Sequence, residues 1–168
     1  MAMLFALVYD DQATAEAALE TAKSLESYGY ASIQDQALVR KSDSGKVELD
    51  EKKHPVGRGA IVGGVVGAIF GTVVLLPVAG AAAGAAVGAV IGHGNKGGAD
   101  DFKKFSDEVA RDLPNGGAAL VLLGSTEGRE RVIHDLGKHG GRLHTLDLHD
   151  DEVAAIQKEI DRAAGSAS

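Results

Sequence analysis

Apolar positions run unbroken from Leu4 to Tyr9 and stop at the acidic pair Asp10 and Asp11, which predicts a strand buried on both faces. Asp10 or Asp11 can cap a following helix, in which Ala15, Ala18, Ala22 and Leu25 recur at helical spacing until Gly29. Ile33 to Arg40 predicts a second strand. Ser42, Asp43, Ser44 and Gly45 have turn chemistry, and Val47 and Leu49 alternate with Lys46, Glu48 and Asp50 as in a half-exposed third strand. Further on, Asp100 or Asp101 can cap a helix with Phe102, Phe105, Val109 and Leu113 on one face, stopped by Pro114, Asn115 and Gly116. Ala118 to Leu123 predicts another buried strand. Ser125 or Thr126 opens a helix carrying Val132, Ile133 and Leu136, closed by Gly140 and Gly141. Arg142 to His149 forms a last strand, and a final helix carries Val153, Ile156 and Ile160.

Leu4 to Arg40 and Ala118 to His149 thus share a strand, helix, strand order. With the middle of the chain set aside, β-α-β-β is followed by α-β-α-β-α, which predicts an α+β, ferredoxin-like domain. That domain is discontinuous, over residues 1–56 and 99–168. The insert, 57–95, has a different pattern altogether.

Within the insert Gly59, Gly63, Gly67 and Gly71 are spaced by four, and so are Gly80, Gly84, Gly88 and Gly92. Each set lines one face of a helix. A glycine in a helix interior costs about 1 kcal/mol relative to alanine, so close backbone approach by another helix is needed to offset the stripes. Beside the first stripe run Ile61, Val62, Val65, Val66, Ile69, Phe70, Val73 and Val74, a lipid- or core-facing set of large residues. The second segment is richer in alanine and suits a protein environment better than lipid. Pro77 breaks the block and predicts a hairpin of two helices, about 27 and 22 Å long at about 1.5 Å per residue. Both fall a little short of a hydrocarbon core of about 30 Å. The apolar tip, Leu75 to Val78, fits a re-entrant hairpin or one buried at the centre of an assembly.

No charged side chain occurs from Gly59 to Gly92, although the flanks are rich in charge. Lys52, Lys53 and Arg58 precede the block and Lys96, Lys103 and Lys104 follow it, which places both feet on a cytoplasmic side. The net charge of -7 opposes nucleic acid as a partner, because such affinity comes largely from Lys and Arg on phosphates. No cysteine is present, so disulfides, thiolate metal sites and cysteine nucleophiles are excluded. Met1 to Tyr9 lacks a basic leader and reads as no signal peptide.

Candidate chemistry is sparse. Gly92-His93-Gly94-Asn95-Lys96-Gly97 matches G-x-G-x-x-G but follows a helix where the dinucleotide fingerprint needs a buried strand, so a helix stop explains it. His144 and His149 lie near Asp147, Asp150 and Asp151, yet five residues apart on a strand they point to opposite faces. Asp150 and Asp151 suit the first turn of the final helix. Asp10 and Asp11 end the first strand, a common place for function, and helix capping explains them equally well. No catalytic, cofactor-binding or metal-binding residue is expected.

An α/β domain opening Phe5-Ala6-Leu7-Val8-Tyr9-Asp10, an inserted double glycine zipper and a second β-α-β unit together resemble the bacterial family called domain of unknown function twelve sixty-nine. The resemblance covers nearly the whole chain, implies a membrane protein and transfers no catalytic residue. The resulting expectation is a non-enzymatic homo-oligomer whose partners are its own copies and membrane lipid, at the cytoplasmic face of the inner membrane. A soluble cage, ring or filament in the cytoplasm, and a small-molecule or stress sensor, are the alternatives.

Overall fold

The computed structural model describes residues 1–50, 66, 69, 74–75, 96–151, 153–155 and 158. In chain order the elements are β1 (Ala2–Tyr9), α1 (Gln12–Ser27), β2 (Ile33–Lys41), β3 (Val47–Leu49), β4 (Val74–Leu75), α2 (Lys96–Asp112), β5 (Ala118–Ser125), α3 (Arg129–Gly137) and β6 (Arg142–Leu148). Residues 150–151, 153–155 and 158 are helical as well. The protein is α+β, with five antiparallel strands in the order β3-β2-β5-β1-β6 and the short β4 added in parallel beside β3.

β1 lies between β5 and β6, and all eight of its residues are buried. Alternation divides them between two cores. Ala2, Leu4, Ala6 and Val8 join Phe102, Phe105, Val109 and Leu113 of α2 on one face. Met3, Phe5, Leu7 and Tyr9 join Ala15, Ala18, Leu19, Ala22 and Leu25 of α1, with Val132 and Leu136 of α3, on the other. Burial on both sides is why β1 shows no polar alternation. The sheet takes strands from before and after the glycine block, so the flanks fold as one unit.

Register gives the sheet two distinct ends. Ala2, Ile33, Gly124 and Leu148 lie at one, and Tyr9, Arg40, Ala118 and Arg142 at the other. Antiparallel pairing of β3 with β2 sends Leu49 toward the Ala2 end. α2 lies against β6 with Asp112 beside Arg142 and His144, at the Tyr9 end, so its start at Lys96 is at the Ala2 end.

Four expected boundaries differ. Val74 and Leu75 form β4, whereas the glycine pattern extends the first zipper helix to Leu76. A Thr-Val-Val run favours extended backbone, and the open edge of β3 offers partners for its N–H and C=O groups. α2 begins at Lys96, placing Asp100 and Asp101 inside the helix and not at its cap. α3 begins at Arg129 instead of following Ser125 or Thr126, because Ser125 still belongs to β5 and Gly128 turns the chain in the left-handed region, φ 78°. A side chain at Gly128 would also collide with the Tyr30 carbonyl. Finally, α3 ends at Gly137, and Gly140 and Gly141, both at positive φ, make the turn into β6.

Candidate functional site

The glycine block meets the folded domain at four described residues. Val66 and Ile69 are helical and three apart, hence on one face. Val66 has 0 % of its surface exposed within the α2-side core, and Ile69 packs against that core. β4 follows in parallel with β3, pairing Val74 with Val47 and Leu75 with Glu48. Strand, helical residues and parallel strand make a β-α-β connection laid over the sheet, the kind of crossover that parallel neighbours need. Of the large residues expected to face lipid or core, Val66 and Ile69 face the protein's own core.

The chain enters the block under a clamp. The Arg40 guanidinium donates from Nε and Nη2 to Asp50 Oδ2 at 3.1 and 2.7 Å, from Nη1 to Gln12 Oε1 at 2.8 Å, and from Nη2 to Glu16. β2, α1 and the residue after β3 are thereby joined by one side chain. The hydrogen bond to Asp50 raises the Arg40 pKa against the opposing effect of burial, and the bond to Glu16 adds to the rise. A planar fork with several donors suits this; a lysine ammonium would not span the three acceptors.

A second polar cluster joins α2 to β6. His144 Nε2 lies 2.8 Å from Asp112 Oδ2 and its Nδ1 lies 3.4 Å from Glu108 Oε2. Arg142 donates to the Asp112 carbonyl at 2.7 Å and to Asp10 Oδ1 at 3.2 Å. Each imidazole nitrogen faces a different carboxylate of one helix, so the ring ties two elements together and offers no free base. Among the described residues no group of three His, Cys, Asp or Glu side chains could hold a metal ion. Also among the described residues, no helix is long and apolar enough to cross a membrane.

The family described as Protein of unknown function (DUF1269) matches residues 60–161, which takes in the glycine block, α2, β5, α3 and β6. The chain belongs to this family. Comparison with curated proteins and with solved structures found no match.

In this DUF1269 member, Asp11 accepts from Thr14 N at 2.7 Å and caps α1. That bond and the Thr14 hydroxyl hold its carboxyl below the usual range. Asp10 pairs with Arg142. His144 takes part in the α2–β6 tie, while His149 lies past the end of β6. Lys96 and Gly97 of the G-x-G-x-x-G match open α2. Gly59, Gly63, Gly67, Gly71, Gly80, Gly84, Gly88, Gly92, Pro77, Ile61, Val62, Val65, Phe70 and Val73 lie outside the described residues. Val74 is in β4. Sequence reasoning missed the Arg40 clamp, for which the only signal was a lone arginine in an otherwise apolar strand end.

Proposed function

We propose that the chain is a non-enzymatic, self-associating protein: a ferredoxin-like platform carrying a double glycine-zipper segment through which copies pack together. The observation that carries it is Val66, buried in the platform's core beside the first glycine stripe. Docking of large residues on the sheet gives the first segment one partner, and the glycine faces then need a second. Eight glycines at about 1 kcal/mol each require a compensating contact, which backbone-close packing between copies supplies. The strand order β2-β5-β1-β6, with two β-α-β halves and antiparallel neighbours, supports the ferredoxin-like description. Sedimentation of the full chain tests the proposal. Wild type should be an oligomer, and replacing Gly63, Gly67, Gly84 and Gly88 together with Leu should reduce its mass; a monomeric wild type refutes it.

A second reading places the assembly at a bilayer, on the cytoplasmic face of the inner membrane with lipid as partner. The absence of charge from Gly59 to Gly92 favours it, since a stretch of that length without charge is unusual outside protein cores and lipid. Flotation with vesicles tests this directly: the chain should rise with the lipid, and recovery only in the dense fraction rejects the bilayer.

A further inference from the structure

We propose that the Ala2 end of the sheet is the surface that meets the bilayer, with Tyr28 and Tyr30 seated among the lipid headgroups. This rests on the bilayer reading above and adds which face of the domain is turned to the lipid.

Three observations converge on that end. The first is where the uncharged chain comes and goes. β4 runs parallel to β3, so after Leu75 the chain heads for the Ala2 end, and α2 starts from the same end at Lys96. Residues 76–95, which join them, contain no Asp, Glu, Lys or Arg. Any lipid taken up by this segment therefore lies against the loops of that end.

The second is the placement of exposed apolar side chains. Among the described residues the large exposed hydrophobics are Met1, Tyr28, Tyr30 and Leu143, and the first three are at the Ala2 end. Tyr28 is 76 % and Tyr30 52 % exposed, in the loop between α1 and β2, with ring centroids 6.2 Å apart. Tyrosine combines an apolar body with a polar tip, the character that enriches it at headgroup level.

The third is the neighbouring surface. An open depression of about 730 Å³ is lined by Thr126, Gly128, Arg129, Glu130, Arg131 and His134. Arg131 lies over the Tyr30 ring at 4.6 Å and is paired with Asp135. Arg129 has no ion pair among the described residues and is free to meet a phosphodiester. Glu127, Glu130, Asp100 and Asp101 lie at the same end, so the aromatic pair, more than net charge, is the attraction.

The chain has no tryptophan, so Tyr28→Trp and Tyr30→Trp variants each carry a single reporter. With vesicles of phosphatidylcholine and phosphatidylglycerol, both should shift to blue emission and be quenched by brominated lipid, while Asn115→Trp at the Tyr9 end does neither. Tyr28→Ser with Tyr30→Ser should lower vesicle partitioning by roughly tenfold. A protein that floats with the vesicles while both reporters stay water-exposed overturns this orientation and leaves the bilayer reading standing. Failure to float overturns both. A blue shift that grows with protein concentration in the absence of lipid assigns the face to a second copy and also overturns the proposal.

Discussion

Val66→Ala separates a side chain in the protein's own core from one facing lipid or solvent. Val66 is fully buried on the α2 side of the sheet. Deleting two methyl groups removes about 1.6 kcal/mol of transfer free energy, at about 0.8 kcal/mol per group. A residual void of roughly 50 Å³ adds about 1 kcal/mol at about 24 cal/mol per Å³, giving a loss of about 2–3 kcal/mol in all. Urea unfolding followed by far-ultraviolet circular dichroism reads the change as a lower midpoint at unchanged slope. Repeating it at several protein concentrations separates folding from association. Leu143→Ala, at an exposed site near the sheet edge, should move stability by less than about 0.5 kcal/mol. A Val66→Ala effect as small as that one would refute the docking of the first glycine segment on the sheet.

Gly141→Ala should destabilise by about 2–4 kcal/mol in thermal or urea unfolding, since Gly141 sits at φ 91° and an added Cβ would lie 2.8 Å from the Tyr9 ring. Gly137→Ala, at the end of α3 with nothing within 4 Å of the new atom, should be neutral or stabilise by up to about 1 kcal/mol. Burial pushes the Tyr9 hydroxyl up to about 12 from its ordinary 10.0. The unfolded chain therefore ionises first, and stability that is whole below pH 10 falls by about 2–3 kcal/mol as pH rises to 12. Tyr9→Phe, which gives up only a 3.5 Å bond to the Leu136 carbonyl, should remove this part of the alkaline loss in a pH series of unfolding curves. Arg40→Met should lower stability by about 1–3 kcal/mol, and Arg40→Lys should recover little of it, because the three acceptors on α1 and beyond β3 need a fork.

Local signals served well where one element decided its own fate. The Leu4 to Tyr9 run became a doubly buried strand, Asp11 became the α1 cap, Gly29 at φ 71° followed the α1 terminus, and Val47 to Leu49 became β3. Boundaries set by a neighbour were not legible. β4 exists because β3 has an open edge, and α3 starts late because Gly128 must pass close to the Tyr30 carbonyl. α2 starts early, since Gly97, Gly98 and Ala99 can continue a helix once Phe102 and Phe105 anchor it on the sheet. The site was only partly legible for the same reason. Glycine spacing marks the zipper stripes without saying what lies across the helix, and the burial of Val66 depends on residues far away in the chain. The Arg40 clamp and the His144 tie each join elements separated by long stretches of sequence, so no window of residues contains them.

Because the chain lacks cysteine, single-cysteine variants at each position from 78 to 92 can be oxidised and the disulfide-linked dimer measured. Contact between copies along a glycine stripe requires a dimer yield that peaks every fourth residue, at Gly80, Gly84, Gly88 and Gly92. A yield that is flat along the segment, or peaks on the opposite face, would contradict self-association through the zipper.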